Sequence, residues 1–101
     1  MKLDHLRYFD RLADVLSYTN AAKSLYIAQP TLSAAIKRME QEVGLTLFRR
    51  AEGVASGVEL TEQGRIFHEY VVQALECYDT GLSLALESQN ESESLLRLGT
   101  V

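Results

Sequence analysis

A helix too long for the rest of the chain to cover sets the terms for the fold. From Thr61, a residue suited to cap a helix N-terminus, apolar residues recur at helical spacing from Glu62 to near Ser88. At 1.5 Å per residue that helix is roughly 40 Å long. Residues 1–61 cannot build a domain broad enough to cover it. Its stripe, Phe67, Val71, Leu75, Tyr78, Leu82 and Ala85, therefore needs another surface. A second copy of the helix in a twofold dimer is the simplest one, and a further domain of a longer protein is the alternative. Gly81 inside the helix costs about 1 kcal/mol relative to alanine and predicts a bend or fraying beyond it. Cys77, beside the stripe, reads as a buried small apolar residue.

Three shorter helices precede it. Leu3, Leu6, Phe9, Leu12, Ala13 and Leu16 predict a helix over about Asp4–Leu16. Ala21, Ala22 and Leu25 mark a short second one over Tyr18–Leu25, with Ser17 or Thr19 as its cap. The third opens near Gln29-Pro30, where proline's missing N–H is harmless, and Gly44 ends it. Its inner stripe is Leu32, Ile36, Met39 and Val43. Then the period is lost. Leu45-Thr46-Leu47-Phe48 is short and apolar, residues 49–57 carry Gly53 and Gly57, and Gly57-Val58-Glu59-Leu60-Thr61 is extended. That pattern predicts a β-hairpin. The fold class is mainly α: a winged helix-turn-helix with a small hairpin wing and a long C-terminal helix. The expected divisions are residues 1–61, the helix over 62–88, and a polar hinge with one strand over 89–101. That strand, Leu95 to Val101, would open a domain lying beyond this chain.

Charge is unevenly placed. The chain of 101 residues carries a net −4, but residues 1–50 hold eight Lys and Arg against five Asp and Glu, a net +3. Residues 51–101 hold two against nine, a net −7. Polyanion affinity depends on where cations lie, so the basic half can meet phosphate while the acidic half faces away. Other classes lose ground. There is no apolar run long enough to span a membrane and no secretory signal pattern, so the expected location is cytoplasmic. Cys77 has no cysteine partner, and His5 and His68 stand isolated, so no metal site is expected. No nucleophile–base pair and no phosphate-cradling glycine loop is present, so an enzyme is not expected.

The third helix has two chemically different faces. Opposite its apolar stripe stand Gln29, Pro30, Ser33, Ala34 and Lys37, flanked by Thr31 and Arg38. Glutamine can pair with an adenine edge in the major groove, serine with bases or phosphate, and proline can lie against a thymine methyl. Lys37 and Arg38 are placed for phosphates, although Glu40 and Glu42 make ordinary intrahelical charge pairs equally available. Arg49 and Arg50 stand at the base of the wing, where backbone or minor groove would be near.

Six segments then fall into one register: Leu6-Arg7-Tyr8-Phe9, Ser17-Tyr18-Thr19-Asn20-Ala21-Ala22, Ala28-Gln29-Pro30-Thr31-Leu32-Ser33, Ile36-Lys37-Arg38-Met39-Glu40, Leu45-Thr46-Leu47-Phe48-Arg49-Arg50 and Leu60-Thr61-Glu62-Gln63-Gly64. In that order and spacing the chain resembles LysR-type transcriptional regulators over nearly its whole length. The resemblance implies a winged helix-turn-helix that binds double-stranded DNA, and a linker helix that forms a homodimer. It allows a tetramer at full length. It further implies a small-molecule effector bound by a C-terminal domain missing here, with no cofactor in this segment. Gln29, Pro30, Thr31 and Ser33 match the family's recognition-helix positions, and Arg50 its wing-base arginine. Three departures stand out. Ala28 replaces a serine or threonine cap, Ala34 replaces a frequent arginine, and the wing is longer, with Glu52 and Glu59 but no cation beyond Arg50. The competing reading is a helical dimerisation or protein-interaction module whose degenerate helix-turn-helix no longer binds DNA; the net acidity, Ala34 and the acidic wing favour it.

Overall fold

The computed structural model describes residues 1–55 and 57–99, with side chains as far as residue 90. Helix α1 spans Leu3–Val15, α2 Tyr18–Leu25 and α3 Gln29–Val43. Strands β1 (Phe48–Arg50) and β2 (Val58–Leu60) form an antiparallel hairpin, and α4 runs over Glu62–Gly99. Each boundary has a local cause. Ser17 caps α2 by accepting the Asn20 N–H at 3.2 Å. Helix α3 starts at Ala28 without a side-chain cap, with Pro30 in its first turn, and ends on Gly44 at φ +73°. Thr61 caps α4: its Oγ1 accepts the Gly64 N–H at 3.0 Å and donates to the Thr46 carbonyl at 2.6 Å.

Helices α1, α2 and α3 close around Phe9, Leu12, Leu32, Ile36 and Met39, all fully buried, with Leu47 below them. The ring of Phe9 sits 5.4 Å from those of both Phe48 and Phe67, so one side chain joins α1 to the wing and to α4. The hairpin pairs Phe48 with Leu60, Arg49 with Glu59 and Arg50 with Val58. It is also fastened at its far side. The Val58 N–H donates to the Leu16 carbonyl at 3.1 Å, and Gly57 bridges Ser17.

Three expectations need correction. The first wing strand begins at Phe48, not within the preceding apolar run, because the amides there have another acceptor. The Leu47 and Phe48 N–H groups donate to Glu40 Oε2 at 2.7 and 3.3 Å. Glu40 is therefore a cap for the approach to the wing and not a charge partner of Lys37. The expected hinge and strand over 89–101 are helix as far as Gly99. Glu91, Glu93, Leu95, Leu96, Arg97 and Leu98 are competent helix formers. An existing helix gains one hydrogen bond per added residue, whereas a strand there has no edge to pair with. Thr100 and Val101 lie outside the described residues. With that extension α4 is about 57 Å long, and the molecule measures 69 × 25 × 19 Å.

The third correction concerns the stripe on α4. Val71 and Leu75 belong to the chain's own core, with Phe67 packed against it. Tyr78 and Leu82 are exposed at 48% and 49%, Ala85 is exposed too, and Cys77 beside them is exposed where the sequence predicts burial. Spacing reveals that a face is apolar; it does not say which surface the face meets. Here α1 takes the first turns of the stripe and reaches no further. Its last hold on α4 is Arg7, which donates to Asp79 at 2.8 and 3.4 Å and lies 5.9 Å from the Tyr78 ring centre.

Candidate nucleic-acid interface

On α3 the side chains divide as helical geometry requires. Leu32, Ala35, Ile36 and Met39 are buried, while Gln29, Pro30, Thr31, Ser33, Ala34, Lys37 and Arg38 are exposed. Gln29, Ser33 and Lys37 follow one another at four-residue steps, so they share a line along the helix. Among the described residues none of the three side chains has a hydrogen-bond or ion-pair partner. The end of the helix is open as well. The Thr31 and Leu32 N–H groups turn back to the Ala28 carbonyl at 3.0 and 3.3 Å, and Pro30 has no N–H. The Gln29 amide is left facing outward at the positive end of the helix dipole.

The cations are not equivalent. Lys37 is unpaired among the described residues. Arg38 Nε lies 4.0 Å from Glu42, which also holds the N-terminal ammonium at 3.0 Å. That ammonium keeps the Glu42 carboxyl below its ordinary range, chiefly by donating a hydrogen bond to it. On β1, Arg49 donates to Glu59 at 2.6 Å, its cross-strand partner. Arg50, on the opposite side of the strand, has no ion-pair partner among the described residues. Lys37 and Arg50 are thus the cations of this region that no described residue neutralises. Glu40 ties their two elements together, since it anchors the backbone two residues before Arg50.

A helix-turn-helix whose second helix keeps a bare polar face is followed here by a hairpin wing, and the sequence decides which family this arrangement belongs to. The sequence model of the bacterial regulatory helix-turn-helix proteins of the lysR family matches residues 3–65. The chain belongs to the LysR family. It is 48% identical over 85 residues to the HTH-type transcriptional regulator BudR of Klebsiella aerogenes, covering 84% of this chain and 57% of that protein. The crystal structure of the BenM DNA-binding domain with benA site 1 DNA superposes with a TM-score of 0.77 at 38% identity, over 84% of this chain and 95% of that one. The CbnR DNA-binding domain in its DNA complex gives 0.79 at 27% identity, over 87% and 98%. This LysR-type chain therefore spans just over half the length of that BudR and about a third of the regulator AlsR of Bacillus subtilis (strain 168), to which it is 40% identical over its whole length.

Two features of this LysR-type chain were not visible along the sequence. His68 does not stand alone: its Nε2 is 2.8 Å from Asp10, and the ligand atoms of Asp10, Asp14 and His68 lie within 4.8 Å of one another. The pair fastens α4 to α1, and the contact spans 58 positions, a separation no local pattern reports. The other is Tyr26, in the turn between α2 and α3, which takes φ +58° with its side chain 95% exposed. The available signal was an aromatic residue at the turn position where glycine or asparagine is favoured. No helix among the described residues is long and apolar enough to cross a membrane.

Proposed function

We propose that this chain is the DNA-binding part of a dimeric transcriptional regulator that reads a dyad site in double-stranded DNA. The observation that carries the reading is the line Gln29–Ser33–Lys37, polar, exposed and without partners, on a helix whose other face is locked into the core. A groove lined with hydrogen-bonding base edges is the partner that suits such a line. Gln29, Pro30 and Ser33 read bases, Thr31 flanks them, and Lys37, Arg50 and the open end of α3 hold phosphates. Arg38 is shared with Glu42 and contributes less. Residues 1–61 form the DNA-binding unit, and α4 from Glu62 onward forms the dimer.

The dimer surface is the part of α4 that the chain leaves bare. Tyr78, Leu82 and Ala85 continue the core stripe past its cover. Beside them Ile66, Tyr70, Ala74, Cys77, Gly81 and Leu84 form a second exposed apolar line. Its small central residues let two helices approach closely, and its four-and-three spacing suits a helix pair. Two recognition helices held this way fall about one DNA turn apart, roughly 34–36 Å. We further propose that the longer protein binds a small-molecule effector through a C-terminal domain, works in the cytoplasm and has no catalytic role.

Fluorescence anisotropy on a duplex site at rising salt tests the reading. Affinity that falls steeply and linearly on a log–log plot is the expected result. An affinity indifferent to salt would contradict phosphate binding and favour the protein-interaction module.

A further inference from the structure

Three helices in this chain end on a residue in the left-handed region, and one of the three is out of character. Gly44 ends α3 at φ +73°, with open space where a side chain would stand. Leu16 ends α1 at φ +59° and Tyr26 ends α2 at φ +58°. For residues other than glycine, asparagine, aspartate and histidine this conformation is uncommon, and for a bulky side chain it is an outlier. The Leu16 conformation is used by the fold: its carbonyl accepts the Val58 N–H and so fastens the wing. Tyr26 has no such use. The motif it closes is made by backbone alone, its own N–H to the Lys23 carbonyl at 3.2 Å and the Ile27 N–H to the Ala22 carbonyl at 3.1 Å. Glycine would make both bonds without strain. The ring touches no aromatic partner among the described residues, and its hydroxyl has no hydrogen bond there.

Strain kept at an exposed side chain that the fold does not need points to a partner outside the chain. The location says which partner. Tyr26 stands three residues before Gln29, on a turn held rigid by the packing of Ile27 against the core. Beside it lies the open N-terminus of α3, with the free Gln29 amide. We infer that Tyr26 is a positioning residue whose hydroxyl donates a hydrogen bond to a phosphate of the strand bordering the groove that α3 enters. The contact carries no base information; it sets how far and at what angle α3 enters. The inference rests on the DNA-binding reading.

The test measures melting temperature and anisotropy together, on one duplex that the wild-type chain selects and on a scrambled duplex. Tyr26→Phe keeps the ring and the backbone. It should leave the melting temperature unchanged and weaken both duplexes about tenfold, the loss of one hydrogen bond to a charged group. Tyr26→Gly removes the strain and should melt no lower than wild type while losing at least as much affinity. The salt slope should stay the same in both variants, because no cation is removed. Wild-type affinity in Tyr26→Phe would overturn the inference. So would a Tyr26→Gly variant that melts well below wild type, since the ring would then serve the fold. A wild-type chain that selects no duplex at all would strike the DNA-binding reading itself, a result distinct from the other two.

Discussion

Helices α3 and α4 both carry a long face that no described residue covers, and the two faces differ in kind. The bare face of α3 is polar, with Gln29, Ser33 and Lys37 lacking partners on a helix anchored along its inner side. That of α4 is apolar, with Tyr70, Tyr78, Leu82 and Leu84 exposed on a helix that α1 supports only as far as Asp79. An open polar line can be satisfied by water until a hydrogen-bonding partner replaces it. An exposed apolar line cannot, and it calls for burial. The chemistry of the uncovered surface therefore separates the proposed nucleic-acid face from the proposed dimer face before any partner is seen.

Substitutions along α4 break this contrast most strongly. Leu75→Ala, within the core, should lower stability by about 2–5 kcal/mol in urea unfolding. Leu84→Glu together with Tyr70→Glu should leave the fold of residues 1–61 intact and yield monomers in light scattering. A dimer surviving both changes would move the interface off this face. On α3 the expected effects concern binding alone. Gln29→Ala should cost about 1–3 kcal/mol and relax the preference at one base pair. Equal loss on cognate and scrambled duplexes would remove Gln29 from base reading.

The cations sharpen the comparison further. Lys37→Ala or Arg50→Ala should weaken all duplexes alike and reduce the salt slope by about one each. Arg49→Ala should change that slope less, because Glu59 already neutralises the guanidinium. The smallest effect is expected at the α1–α4 clasp. The hydrogen bonds from Arg7 hold the Asp79 carboxyl below the ordinary carboxylate range. A carboxyl depressed in the folded state adds stability above its unfolded pKa, and that contribution is lost as pH falls through the folded value. Wild type should thus exceed Asp79→Asn slightly in melting temperature near neutrality, and the two should converge in acid. Both groups are exposed, so salt should erase the difference.

What the sequence made legible follows the same contrast. Gln29, Pro30, Thr31, Ser33, Lys37 and Arg38 were placed on the outside of α3 by its period, and all are exposed. The period also marked Phe67, Val71 and Leu75 as apolar, but assigning them to a second copy failed because α1 reaches them first. Glu40 as a cap for the wing, the His68–Asp10 pair and the Arg49–Glu59 pair all join residues that only the folded chain brings together. Residues 89–99 misled for another reason. The polar residues up to Ser94 suit a linker and Leu95 onward suits a strand, yet a helix already under way extends through both as far as Gly99. The resemblance singled out Arg50 over Arg49 without a physical reason; pairing across the hairpin supplies one, since Arg49 meets Glu59.

The central claim is that the bare polar face of α3 reads double-stranded DNA. Its most direct test is affinity selection of sheared genomic DNA from the source organism with this chain, repeated at several salt concentrations. The account predicts enrichment of a dyad-symmetric site, with half-sites about one helical turn apart, that fades as salt rises. No enrichment at low salt, from a chain shown by circular dichroism to be folded, would contradict it.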